Sequence, residues 1–303
     1  MSKRRLISFD WAMKKLLRSK ANFEILEGFL SELLKDNIHI LEILESEGNK
    51  EDSHDKFNRV DLKVKNQKNE IIIIEVQYER EFDYLQRILF GTSKVITEHL
   101  HESDPYSEIV KVISVNILYF DLGQGEDYVY HGSTSFKGLH NQDLLELSDD
   151  QQELYNKNQI YQIFPEYYLV KVNNFNDIAK DTLDEWIYFL KNEEIKENFK
   201  AKGLKKAKQE LDILKLPEQE RVAYEKYQDD LHYQASMVES SYTIGVKKGV
   251  KQGIEQGIEQ GMIKGEKQKA IEIAKNLIDV LDNKTIAIKT GLSESDIEIM
   301  RQQ

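Results

Sequence analysis

The chain has 303 residues, no cysteine and a formal net charge of −12, with 42 Lys and Arg against 54 Asp and Glu. Its 40% apolar content supports a substantial core, while the lack of cysteine excludes disulfide frameworks and zinc–thiolate sites and points to the cytoplasm. The acidity argues against indiscriminate nucleic-acid binding, and no apolar run reaches the length of a membrane span, so no membrane partner is expected.

The charge is uneven. Lys3, Arg4, Arg5, Lys14, Lys15, Arg18 and Lys20 face a single acid, Asp10, in the first twenty residues; this is either a local phosphate-binding patch or a solvated helix face. The segment "FDWAMKKLLRSKANFEILEGFLSELL" reads as two helices over residues 10–18 and 22–34, because Leu16, Leu17, Phe23, Leu26, Phe29, Leu30 and Leu33 recur at helical spacing. "IHILEILESEG" is a candidate strand, followed by the polar "GNKEDSHDK". "NRVDLKVK", the turn signal "NQKN" and "EIIIIEVQY" form a hairpin of two strands, the second apolar enough to be buried on both faces. Next come a helix, "DYLQRILFGTSKVITEHL", and a strand at residues 110–120. Two more strands, "DYVYHGSTSF" and "YYLVKV", precede a helix in "IAKDTLDEWIYFLKN".

The strand "IIIIEVQ" ends in an acid. Side chains at 75 and 77 share one face, since the strand period is two. A turn of three or five residues puts Asp61 on the side of Glu75, whereas two or four puts it on the other. In the first case two carboxylates converge at a sheet edge. Their mutual repulsion favours a hard divalent cation, to which the Val76 carbonyl adds a third oxygen. Gln77 would orient a nucleophilic water, although it supplies neither positive charge nor a general base. The plainer alternative is Asp61 paired with a surface lysine and Glu75 as a satisfied strand-end acid.

The pattern D-x(13)-E-V-Q between strands resembles the PD-(D/E)XK nuclease superfamily, and more closely the Rpn-type recombination-promoting nucleases, or PD-(D/E)XK nuclease family transposases. "SFDWAMKKLL" is similar to that family's opening Asp-x-x-Phe-Lys motif, with Met13 in place of Phe, and "FEILEGFLSELL", "YLQRILFGTSKV", "YSEIVKVISVNILYFDL" and "LDEWIYFLKN" follow in the family's order. The resemblance implies a restriction-endonuclease-like α/β core, a mixed central sheet flanked by helices, with a helical C-terminal extension. It also implies DNA as partner and Mg²⁺, or Mn²⁺ in its place, as cofactor. Carried over, Asp61 and Glu75 are metal ligands together with the Val76 carbonyl, and Gln77 stands where the superfamily has lysine. Asp10 is the leading acid, which would complete the metal site through water or a second ion, with helix N-capping as its alternative. Lys14 and Arg87 are candidate phosphate contacts, an ion pair on the helix being the alternative for Arg87. Lysine replaced by glutamine removes a charge from beside the transition state. An inactive nuclease-fold protein acting as an oligomeric binding module is therefore the competing expectation.

Composition changes near residue 200, suggesting a core domain over 1–200 and a helical tail over 201–303. Gly245, Gly249, Gly253, Gly257, Gly261 and Gly265 recur every four residues, flanked by Val246, Val250, Ile254, Ile258 and Met262. Six glycines cost a helix about 6 kcal/mol relative to alanine, at about 1 kcal/mol each, which close approach of a second copy would offset; a loosely helical linker is the alternative. Such a stripe drifts by about 40° per repeat, so a long seam needs right-handed supercoiling. Ala287, Gly291 and Ile297 have helix-turn-helix spacing, yet Glu294, Asp296 and Glu298 give the second helix the wrong sign for a DNA groove, so a packing or protein-interaction unit is expected in place of a DNA reader.

Overall fold

The computed structural model describes residues 6–44, 61–100 and 103–302. Lys3, Arg4, Arg5, the "GNKEDSHDK" segment and residues 58–60 of the expected hairpin lie outside the described residues.

Helix α1 (Phe9–Lys15) begins at Ser8, whose hydroxyl accepts the Trp11 N–H at 3.5 Å. Ser8 is thus the N-cap, and the capping alternative for Asp10 falls: Asp10 sits inside the first turn. Helix α2 (Phe23–Leu34) buries Phe23, Leu26, Phe29, Leu30 and Leu33 along one stripe. Strand β1 (Ile40–Leu44) pairs antiparallel with β2 (Leu62–Asn66), which turns back into β3 (Ile71–Gln77). Helix α3 (Tyr84–Glu98) crosses over to β4 (Val112–Leu118), parallel to β3. After β5 (Val129–Gly132) and α4 (Asp149–Tyr155), β6 (Glu166–Lys171) inserts parallel to β4 and antiparallel to β5. The result is a six-stranded mixed sheet in the order β1-β2-β3-β4-β6-β5, flanked by helices.

The four isoleucines explain why β3 lies inside the sheet. Ile72 and Ile74, with Val76, join the main core. Ile71 and Ile73 pack on the opposite face with Val95 of α3 and Val112. The main core lies on the side of α1, α2 and α5 (Thr182–Asn192), centred on Trp186, Phe9, Phe29 and Phe189 in edge-to-face contact, with Phe9 and Phe29 ring centroids 5.3 Å apart.

Contacts divide the chain into residues 1–232 and 233–303. This boundary lies downstream of the compositional one near 200 because the chain from α6 (Leu204–Glu210) to the start of α7 (Glu218–Leu277) buries Leu204, Ala207, Leu211, Leu216 and Tyr224 in the main core. Charged composition reflects the outer face of these helices, not their inner one. In the second unit α7 is continuous helix through all six glycines, and a Cβ added at any of them meets nothing within 4 Å. Val246, Val250, Ile254, Ile258 and Met262 are exposed beside them. Helices α8 (Asn283–Thr290) and α9 (Glu294–Arg301) fold back, with Ile286 and Ile297 burying against Ala274 of α7. Gly291 ends α8 at φ +73°, and Ser293 caps α9. The segment has its own small core. No helix among the described residues is long and apolar enough to cross a membrane.

Candidate active site

The β2–β3 turn spans residues 67–69, between Asn66 and Glu70, whose N–H and C=O meet at 3.0 Å; Asn69 takes a left-handed φ of +58° to close it. Three residues is one of the two lengths that put Asp61 on the side of Glu75. The register Leu62↔Ile74 accordingly brings Asp61 opposite Glu75, both on the face of α3, away from the main core.

Strand β2 begins only at Leu62, and the Asp61 carboxylate takes over at the edge. Its Oδ2 accepts the Val76 N–H at 2.7 Å, and its own backbone carbonyl accepts from Arg18 at 2.9 Å. Ile71 and Gln77 make their backbone bonds toward β4. By alternation, the Val76 N–H and C=O both point to the edge where Asp61 stands.

Asp10 reaches the same edge from α1. It is 2% exposed. Lys14, one turn on, donates to Oδ2 at 3.0 Å and lies 3.8 Å from Oδ1 of Asp61, so one ammonium serves both acids. Glu75 is ion-paired with Arg87 of α3, whose other amino group donates to Glu81 at 2.6 Å. The guanidinium stands 5.8 Å over the Tyr84 ring, and Tyr84 donates its hydroxyl to Asn116 at 3.0 Å. Gln77 donates to Glu81 Oε1 at 3.0 Å and to the Glu79 carbonyl at 3.3 Å. Its amide oxygen is its remaining hydrogen-bonding group.

All three carboxyls have raised pKa values. Burial is the main cause each time, with Lys14 opposing it at Asp10, the Val76 N–H and then Lys14 at Asp61, and Arg87 at Glu75. Asp61 raises both Asp10 and Glu75 by like-charge repulsion, and Glu75 reaches about 7 from an ordinary 4.5. Like-charge repulsion within the cluster thus persists although Lys14, Arg18 and Arg87 each oppose it at one or more of these acids.

The raised value predicts a pH dependence. Below pH 4.5 the Glu75 carboxyl is protonated in both folded and unfolded chains. Between 4.5 and about 7 the unfolded chain ionises first, so folding stability falls as pH rises through that window and then levels off. In chelator-containing buffer Glu75→Gln removes this dependence. The stability difference between variant and wild type should move in favour of the variant from about pH 5 to about pH 8, by up to about 3 kcal/mol. Thermal unfolding measured across that range checks it, and a pH-independent difference would refute it.

The sequence-derived residues thus meet. Asp10, Asp61, Glu75 and Gln77 share one edge, and both Lys14 and Arg87 are held by these acids. Arg87 pairs with the strand-end Glu75 and with Glu81 just before α3, so its ion-pair alternative holds but reaches beyond its own helix. Sequence reasoning missed Glu81, Tyr84 and Tyr227. Glu81 sits four residues past Gln77 in an acidic run, which was the available signal. Tyr227 donates its hydroxyl to Asp10 from 217 residues away, a contact without a local signature.

Whether the site suits a divalent cation is a matter of its donor set. Among the described residues no three His, Cys, Asp or Glu side chains stand close enough to enclose a metal ion by themselves. Mg²⁺ is commonly bound by one or two carboxylates with water and phosphate completing the shell. Asp61, Glu75 and the Val76 carbonyl match that donor set, and the mutual repulsion of the acids supplies the electrostatic demand.

Residues 7–241 match the family described as PD-(D/E)XK nuclease family transposase. No curated protein and no solved structure matches the chain.

Proposed function

As the chain belongs to the PD-(D/E)XK nuclease family transposases, we propose that it is a Mg²⁺-dependent DNA endonuclease, with Mn²⁺ as a substitute, serving recombination or mobile elements in the cytoplasm. The observation that carries this reading is the hairpin register, which sets Asp61 opposite Glu75 with the Val76 carbonyl at the same edge. A divalent cation bound there activates water and stabilises charge on phosphoryl oxygen. The chain's own groups do the rest. Gln77, with its amide hydrogens committed to Glu81 and Glu79, offers its oxygen to a hydrogen of the attacking water and so orients it. Asp10 is held to Lys14 and keeps that ammonium at the edge. Lys14, 41% exposed, and Arg87 are the cations we assign to phosphate contact. The test is nicking of supercoiled plasmid with Mg²⁺ or Mn²⁺ by wild type and by site variants.

Two observations favour the second reading, a binding module that keeps the fold: Gln77 brings no positive charge, and Arg87 is paired with Glu75 itself. That reading predicts intact assembly without divalent-ion binding by calorimetry.

We also assign self-association to α7. The open space beside every glycine of the repeat and the exposed apolar row support close approach of a second copy. Gly253→Ala then has opposite effects on the two states. It favours the isolated helix by about 1 kcal/mol, and it weakens the assembly by separating the backbones. Light scattering and circular dichroism on the full chain should show a smaller assembly of higher helicity. An unchanged mass would count against the seam.

A further inference from the structure

The start of α7 reaches into the candidate active site. Tyr227 donates its hydroxyl to Asp10 Oδ2, and Lys14 lies 5.7 Å over its ring. Trp11, beside Asp10 in α1, packs against Tyr227 with ring centroids 5.1 Å apart and against Tyr224 at 5.5 Å. Tyr224, 4% exposed, accepts the Ser8 N–H at 3.0 Å and a Gln228 amide hydrogen at 2.9 Å. The tail helix therefore grips both the cap and the acid of α1, and does so inside the unit that holds the sheet.

We propose that Tyr227 is a positioning residue for Asp10 and Lys14, so that the base of the tail helix forms part of the reaction site. This rests on the reading of Asp61 and Glu75 as the reaction centre. Asp10 is buried, and a buried carboxylate needs donors that stay in place. Lys14 is a flexible, partly exposed side chain with a second claim on it from Asp61. The Tyr227 hydroxyl sits on a rigid ring fixed against Trp11, and its bond to a carboxylate is charge-assisted. It holds the Asp10 carboxylate in one orientation, which leaves the Lys14 ammonium poised between Asp10 and Asp61. The ring face beneath that ammonium adds a weaker restraint of the same kind.

The test uses the full chain and Tyr227→Phe, which keeps the ring and its packing while deleting the hydroxyl. The plasmid-nicking kcat should fall about 10-fold, the magnitude of one lost hydrogen bond to a charged group. KM for DNA should stay at the wild-type value, and the melting temperature should fall by only the few degrees that one lost hydrogen bond costs. Combined with Asp10→Asn, Tyr227→Phe should cause no further loss, because its effect passes through Asp10. A wild-type kcat in Tyr227→Phe, or a loss that multiplies in full on the Asp10→Asn background, overturns the proposal. Wild-type protein that nicks no plasmid in either metal overturns the nuclease reading and this proposal together. Wild-type nicking matched by Tyr227→Phe overturns this one alone.

Discussion

Asp61→Asn and Glu75→Gln should each reduce plasmid nicking by on the order of 10²–10³-fold, the usual loss when one preorganised electrostatic group is removed from a reaction centre. Both substitutions keep side-chain volume and the capacity to hydrogen-bond. The amide introduced at position 61 would still offer an oxygen to the Val76 N–H, and Arg87 would still have Glu81 as a partner. The loss therefore reports charge, not unfolding. Glu75→Gln in particular should leave the fold at least as stable at neutral pH, since it deletes a carboxylate whose ionised form burial disfavours. The decisive comparison is nicking rate against melting temperature for wild type and both variants, with divalent-ion binding followed by calorimetry. Equal nicking by all three would mean that the cleavage belongs to another site or another protein. Activity lost along with the fold would mean that the acids are structural.

Gly28→Ala should destabilise the first unit by about 3 kcal/mol or more, the upper end of the range for overpacking a closed contact. A Cβ at position 28 of α2 would sit 2.2 Å from the carbonyl oxygen of Lys202 and 2.8 Å from the Cα of Gly203. Both are backbone atoms, so no side chain can rotate away. Gly203 is held from the other side as well: its φ is +83°, and a Cβ there would come within 2.8 Å of the Glu24 carbonyl oxygen. The Trp186 indole N–H donates to the same Lys202 carbonyl at 3.1 Å, tying the contact into the aromatic centre of the core. Relief would require α6 to move off α2 and that hydrogen bond to break. In calorimetry the shift should be on the order of 10 °C for a unit of this size. A shift below about 2 °C would show that the two backbones are not in contact.

Much of this was legible from the sequence, for reasons that differ by element. The run from Ile71 to Ile74 announced a strand with two apolar faces, and the sheet covers both. The hairpin register followed from turn length, a local property, so the side on which Asp61 falls was reduced beforehand to a question of how many residues the turn holds. Helix α2 was visible because its buried residues keep one period over three turns. What escaped were contacts made by elements far apart in the chain. Nothing near Gly28 announces that Lys202 lies against it. Nothing near Tyr224 or Tyr227 names α1 as the partner. The contact boundary after residue 232 falls past the compositional one for the same reason: charge follows the solvated side of this helical stretch, while Leu204, Ala207 and Leu211 on the other side join the main core.

The turn at residues 67–69 leaves this protein unequally tolerant of insertions and deletions. One residue gained or lost there reverses the facing of every side chain upstream in β2. Leu62 and Val64 would swing out of the main core and Lys63 into it, while Asp61 would turn away from Glu75. A lineage can therefore lengthen its surface connections elsewhere at small cost, but in this connection a single-codon change removes the fold's best-buried hairpin and its paired acids together. Variation in loop length among descendants of this chain should stop at these three residues.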